Sequence, residues 1–210
     1  MAKSKEAKKL DTSTEEKIKN AARTVFHKKG YAATRTRDIA EEAGINLALL
    51  NYYFRSKEKL FEIIMFETLF GFMQNLVMVM NDEKSTLEKK VELTASNYID
   101  LIIKEPNIPI FMLNEIRNNS GGLLEKLPIK QLVMNSAFIN QHQKAVADGK
   151  ITEPNPLHFL MNLLGLVIFP FIGKPLLQGI GGLNDTQFNK LMQERKKLIP
   201  VWIKAMMKAK

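Results

Sequence analysis

From Thr12 to Lys29 the apolar residues return at helical spacing. Ile18, Ala21, Ala22, Val25 and Phe26 fall three and four apart with polar residues between them, which predicts an amphipathic helix. Thr12 and Ser13 stand three residues ahead of Glu15 and Glu16, the pattern of a capping box. Gly30 closes the helix behind the basic run His27, Lys28 and Lys29. Arg35 to Ala43 predicts a short second helix with Ile39, Ala40 and Ala43 inward and Gly44 as a left-handed stop. After Ile45, Asn46 caps a third helix from Leu47 to Phe54, and Ser56 caps a fourth from Lys57 to about Met80. Two short helices joined through glycine after a longer amphipathic one have the sequence form of a helix-turn-helix unit.

Further helical blocks follow. Ser85 and Glu88 open one that runs to Lys104 before Pro106; a shorter one covers 108–118; Pro128 opens one that Asp148 and Gly149 close after Ala147. Pro156 opens an apolar helix, and Asp185 opens the last, through Ala209, with a kink expected at Pro200. The stretch from Leu157 to Ile172 is nearly all apolar, but its 16 residues include His158, Asn162 and Pro170. It falls short of the roughly 20 residues needed to cross a bilayer, so it reads as a buried helix and no membrane insertion is expected. No alternating run is long enough for a sheet and no repeat is present. The pattern predicts an all-α chain.

Composition and charge change this picture in two ways. The 210 residues are 45% apolar and 25% charged and contain no Cys, which suits a globular core and excludes disulfides, thiolate nucleophiles and Cys-ligated metals. The formal charge is +9, and it is uneven: the first 60 residues hold 14 Lys/Arg against 8 Asp/Glu, the remaining 150 hold 17 against 14. A basic excess at one end is the electrostatic footprint of a nucleic-acid or anionic-membrane contact. The polar, basic start lacks the apolar stretch of a secretory signal, so a cytoplasmic location is expected. Lys3, Lys5, Lys8 and Lys9 lie in residues 1–11, which are expected to form a basic flexible arm.

The order of residues over 12–60 is more specific. Glu15, Glu16, Lys17 and Ile18, then Ala21, Ala22, Phe26, Gly30, Tyr31, Thr34, Asp38, Ile39, Ala40, Ala43, Gly44 and Ile45, and finally the unbroken run from Leu50, Asn51, Tyr52, Tyr53 and Phe54 to Leu60 closely resemble the TetR family of bacterial transcriptional regulators. The likeness covers about a quarter of the chain. It implies a three-helix helix-turn-helix DNA-binding domain over 12–60, followed over 61–210 by a larger helical domain that binds an effector and dimerises. It also implies a homodimer released from its operator by a small molecule.

On a helix starting at Leu47, Leu50 and Phe54 can pack inward while Leu47, Ala48 and Asn51, with Tyr52 beside them, share the outward side. That side would enter the major groove, where Asn51 could pair with adenine and Leu47 or Ala48 could touch a thymine methyl. Asn46 stands at the start of the same helix. Thr34 and the amides of the second helix suit a phosphate, and Arg35 and Arg37 add charge. By the resemblance, Tyr53 and Lys57 are phosphate contacts too. Leu49, where the family often has Thr or Ser, has no hydrogen bond to offer a phosphate. Asn51 replaces a frequent aromatic and Leu47 a frequent polar residue, changes that bear on the operator sequence rather than on the mode of binding.

In the larger domain Phe66, Phe70, Met73, Phe111, Met112, Phe138 and Met161 are the candidates for an apolar ligand cavity, because Met and Phe make adaptable walls. The apolar helix before Ile172 and the last helix, with Leu191, Leu198, Val201, Trp202, Ala205 and Met206, carry more apolar surface than a small core needs. In the family the last two long helices pair with a partner's. A two-fold dimer would place two reading helices about 34 Å apart, so a near-palindromic double-stranded DNA operator is expected. His142 and His158 lie 16 residues apart without a clustered carboxylate, so no metal and no cofactor are expected. Nucleotide-binding and hydrolase motifs are absent and no enzyme is expected. The effector is expected to be apolar or amphipathic. A constitutive or activating DNA binder stays open as an alternative, as does a basic helical module for a membrane surface or a protein.

Overall fold

A computed structural model describes residues 2–118 and 133–208. Ten helices account for the regular structure among them, and no strand occurs among the described residues. In chain order they are α1 (Ala2–Ala33), α2 (Thr36–Glu42), α3 (Leu47–Phe54), α4 (Lys57–Asn81), α5 (Leu87–Lys104), α6 (Ile108–Asn118), α7 (Ala137–Ala147), α8 (Pro156–Ile172), α9 (Lys174–Gly181) and α10 (Asp185–Met206). The chain forms two compact units, residues 1–70 and 71–210, divided inside α4.

In the first unit the apolar rows are buried where their spacing places them. Ile18, Ala22, Ile39, Leu50 and Phe54 are almost completely enclosed, joined by Leu60, Ile64, Met65 and Leu69 from α4. Each of the larger side chains contributes roughly 1.5–3 kcal/mol by leaving water. The unit extends past Leu60 to Phe70 because the first half of α4 is tied to α1. Lys19, itself buried, bridges Glu67 at 2.6 Å and also Glu16, and Arg23 reaches Glu67 at 3.0 Å. Burial pulls the Lys19 ammonium down, but its hydrogen bonds with Glu16 and Glu67 outweigh this, so it titrates above an ordinary lysine.

Two turns set the helix-turn-helix geometry. Gly30 interrupts α1 at φ 73° and ψ 160°. Gly44, at φ 59°, ends α2 in the left-handed region, where a Cβ would be strained. Its N–H donates to Glu41 O at 3.0 Å and the N–H of Ile45 donates to Ala40 O at 3.0 Å, the paired bonds that satisfy the last carbonyls of a helix and turn the chain sharply. Asn46 Oδ1 then accepts from Leu49 N at 2.8 Å and starts α3.

In the second unit α5 packs against α10, α8 and α7. Val91, Ala95, Tyr98, Ile99 and Ile102 of α5 meet Leu163 and Val167 of α8 and Phe188, Met192, Ile199 and Ile203 of α10 in one core, which also takes in Phe138 of α7. Lys90, on the same helix and fully buried, satisfies its ammonium with the carbonyls of Asp82 (2.6 Å) and Ser85 (2.8 Å), the Ser85 hydroxyl and Gln141 Oε1.

Three expectations are corrected. Residues 2–11, expected as a flexible arm, continue α1 as helix; the segment has no Gly or Pro and is rich in Lys, with two Ala and one Glu, all good helix formers. The helix expected from Pro128 begins anew at Ala137, because Ser136 caps it by accepting from Ile139 N; Pro128 itself lies outside the described residues. Pro175, in the first turn after Gly173, starts the unexpected short helix α9, which ends at Gly182 with φ 60°. By length and composition α4 could cross a bilayer, as could the bent pair α8 and α9. However, Ile64 and Leu69 of α4 are buried in the first unit and Leu76 and Met80 in the core of the second, the use a core helix makes of such composition.

Candidate functional site

α3 is amphipathic in the sense its sequence requires. Leu50 and Phe54 are enclosed, while Leu47, Ala48, Asn51 and Tyr52 face solvent, Tyr52 with 78% of its surface exposed. A large aromatic left this open on a short helix contributes little to packing and is available to a partner. Its ring meets that of Tyr53 edge-on at 5.4 Å, and Tyr53 is half-buried. Asn46 is exposed, but its carbonyl oxygen is committed to the cap, so only its amide remains to donate outward.

Arg35 and Arg37 are exposed at the start of α2. Asp38 holds that start in place: its carboxylate accepts from Arg35 N at 2.9 Å and pairs with Lys29 at 3.0 Å. The backbone bond first, then Lys29, holds the Asp38 carboxyl below the usual aspartate range.

Two residues expected to contact phosphate are engaged by the scaffold in the free chain. Thr34 is buried; its hydroxyl donates to Gly30 O at 2.7 Å and its N–H donates to Tyr31 O at 3.3 Å. With both donors used to satisfy carbonyls at the broken end of α1, it has none for a phosphate. Lys57 donates to the carbonyls of Tyr31 and Thr34, each at 3.0 Å, with its ammonium 4.3 Å from the centre of the Tyr31 ring. A cation at the end of a helix is favoured there by the dipole, so Lys57 ties α4 to the end of α1. The sequence pattern did not reveal these ties or the Lys29–Asp38 pair, because their partners are carbonyls and side chains brought close only by the turn at Gly30.

The second unit holds a cavity of about 310 Å³ between α4, α5 and α8, with Val133 and Met134 at its side. Met73, Leu76, Met80, Leu157, Leu160 and Leu164 make most of its wall. Thr94 and Tyr98 are its polar-bearing residues, and the Thr94 hydroxyl is buried without a hydrogen-bond partner. Burial pushes the Tyr98 phenol up to about 12, so it stays protonated at neutral pH.

Of the seven side chains expected to line such a cavity, only Met73 does. Phe66 and Phe70 belong to the first unit, Phe70 with 40% of its surface exposed. Phe138 is closed in the core against Phe159, with ring centres 5.1 Å apart. Phe111 is buried elsewhere, Met112 is half-buried, and Met161 is exposed. The leucines that do line it read in sequence as ordinary core. Among the described residues no cluster of His, Asp and Glu could hold a metal ion.

An inward-packed three-helix unit that presents a short capped helix with exposed Asn51 and Tyr52 defines a helix-turn-helix DNA-binding protein. Residues 18–64 match the family described as bacterial regulatory proteins, tetR family, and over that segment the chain is similar to those transcriptional regulators. It is 25% identical over 208 residues to the probable HTH-type transcriptional regulator YttP of Bacillus subtilis (strain 168), covering 93% of this chain and 95% of that one. The fold recurs in a TetR/AcrR-family regulator from Thermobifida fusca, with a TM-score of 0.63, 16% identity and coverage of 89% and 96% of the two chains. It recurs also in the regulator FadR of Bacillus subtilis in complex with stearoyl-CoA, with a TM-score of 0.55, 20% identity and coverage of 88% and 96%.

Proposed function

We propose that this regulator is a repressor that binds a near-palindromic operator as a homodimer and leaves it when an apolar or amphipathic small molecule fills the cavity of the second unit. The observation that carries the reading is the outward row of α3. Leu47, Ala48, Asn51 and Tyr52 are exposed on a helix whose other side is fixed by Leu50 and Phe54. In a major groove Asn51 pairs with adenine N6 and N7, the neighbouring apolar groups meet thymine methyls, and Arg35, Arg37 and Tyr53 hold phosphates.

Dimerisation through α8 and α10 is supported by the apolar residues these helices leave in solvent. Leu157, Met161 and Phe169 on α8 and Leu191, Leu198 and Val201 on α10 are exposed, more than an isolated chain gains by showing. Trp202 is spoken for within the chain: the Arg195 guanidinium lies 5.0 Å from its ring centre and donates to Leu166 O at 2.8 Å.

The cavity's volume sits at the lower end of the range for small-molecule sites, roughly 300–1,000 Å³, and its wall of leucine and methionine suits a hydrocarbon chain. A fold neighbour crystallised with stearoyl-CoA makes long-chain acyl compounds the first to try. The effector needs only a few kcal/mol of preference for the released state to shift the dimer away from DNA.

The test is selection of genomic DNA fragments on the purified protein, followed by titration of the retained fragment with stearoyl-CoA and with free fatty acids. One enriched near-palindrome, released by an acyl compound, is the expected result. A palindrome that no acyl compound releases leaves the DNA reading standing and overturns the choice of effector. Uniform retention overturns sequence-specific binding.

A further inference from the structure

α8 and α10 pack against one another, and each carries a proline inside it, Pro170 in α8 and Pro200 in α10. A proline inside a helix has no N–H to return to the carbonyl four residues earlier, and its ring crowds that carbonyl, so the helix bends there. In α8 the carbonyl concerned is that of Leu166. Leu166 is half-buried, and one turn past Pro170 the chain bends by 71° into α9. A carbonyl left unpaired at such a place loosens the turn above it, because the group has given up water without a partner in exchange.

The missing donor comes from the other helix. Arg195 Nη2 donates to Leu166 O at 2.8 Å, within the range of a charge-assisted hydrogen bond. The guanidinium is held for this within its own helix, 5.0 Å from the centre of the Trp202 ring two turns along, a contact that favours a planar cation over a flexible ammonium. The bond joins the two helices about one turn before the proline of each.

We infer that Arg195 supplies the hydrogen bond that Pro170 removes from α8, and so fixes the last turns of α8 against α10. This matters because the apolar residues left in solvent are divided between the two helices, Met161 and Phe169 on α8 and Leu198 and Val201 on α10. They offer one surface to a second copy of the chain only while those turns stay fixed. Arg195 is therefore a positioning residue for the partner face. This consequence rests on the dimer proposed above; the bond between Arg195 and Leu166 does not.

The test is a double-mutant cycle on the full chain. Arg195→Met removes the guanidinium and keeps a long apolar stem against Trp202, while Pro170→Ala returns to α8 an N–H for the Leu166 carbonyl. Lys197→Met, at an exposed position of the same helix, controls for the lost charge. Sedimentation equilibrium gives the dimer dissociation constant, and mass spectrometry gives the amide exchange rate over residues 167–172. Arg195→Met is expected to raise both by about tenfold, and Lys197→Met to change neither by more than about twofold. In the Pro170→Ala background Arg195→Met is expected to change each by less than about threefold, because the carbonyl then has its partner inside α8.

An equal loss in both backgrounds would show that Arg195 acts by some route other than the Leu166 carbonyl and would overturn the inference, as would an Arg195→Met protein that matches wild type. Folding of Arg195→Met only together with Pro170→Ala would support it, and failure to fold in both backgrounds would overturn it. Exchange that follows the cycle while dissociation does not would overturn the role in the partner face. A wild-type chain that stays monomeric would overturn the dimer reading instead, and the exchange cycle would then decide alone on the Arg195 bond.

Discussion

Residues 1–70 and residues 71–210 are both built from amphipathic helices, but they dispose of their apolar residues differently. In the first unit Ile18, Ala21, Ala22, Val25 and Phe26 of α1 and Ile39 and Ala40 of α2 are used inside, and α3 buries Leu50 and Phe54 while turning outward a short row of Leu47, Ala48, Asn51 and Tyr52. In the second unit the helices leave apolar surface unused twice, around the cavity beside Thr94 and on the solvent faces of α8 and α10. A filled unit with a selective outer row is suited to reading a rigid partner such as a duplex. One with unfilled apolar space is suited to receiving a small molecule or a second chain. The difference lies in how completely the same kind of helix is packed.

The comparison can be broken most severely in the cores. Phe138→Ala removes a fully enclosed ring from the second unit and is expected to lower stability by about 3–5 kcal/mol. Leu50→Ala in the first is expected to cost about 2–5 kcal/mol and to abolish DNA binding as well, because it unseats α3. Urea denaturation followed by circular dichroism, beside an operator-binding assay, would show both; a Leu50→Ala protein that binds DNA normally would mean that α3 needs no support from beneath.

Asn51→Ala sharpens the contrast. Its side chain is exposed, so stability should change by less than about 0.5 kcal/mol, while specific affinity should fall by about 1–3 kcal/mol. Thr94→Val replaces the unpaired buried hydroxyl with a methyl and is expected to raise the stability of the unliganded protein by about 1 kcal/mol. A drop in the denaturation midpoint would show that the hydroxyl has a partner in solution.

The smallest expected effect concerns pH. Because the Asp38 carboxyl lies below its ordinary value in the folded protein, the stability it contributes is present above the unfolded aspartate pKa and is lost as pH falls through the folded one. Asp38→Asn should therefore lower the melting temperature slightly near neutrality and converge with wild type at low pH, which flattens the acid limb of the melting profile.

Much of the first unit could be read in advance because its signals are local. Gly30, Gly44, Asn46 and the spacing of Ile18, Ala22, Leu50 and Phe54 each act within a few residues of where they stand, and the structure places them as read. Thr34 and Lys57 show where that reading stops. Their type and position suit a phosphate, but the carbonyls that engage them become available only once α1 breaks and α4 folds back on its end.

In the second unit the cavity wall is assembled from α4, α5 and α8, distant in sequence. Phe138, conspicuous in the sequence, fills the core, whereas unremarkable leucines surround the space. Helical periodicity says which face is apolar and says nothing of whether a neighbour fills it.

The most direct test of the central claim is the affinity of wild type and Asn51→Ala for a selected operator and for a shuffled duplex of equal length, measured across a range of salt. Wild type should prefer the operator, and Asn51→Ala should lose most of that preference while keeping the same slope of log affinity against log salt, since phosphate contacts set the slope. An Asn51→Ala protein that still prefers the operator as wild type does would contradict the assignment of the outward row of α3 as the reader of sequence.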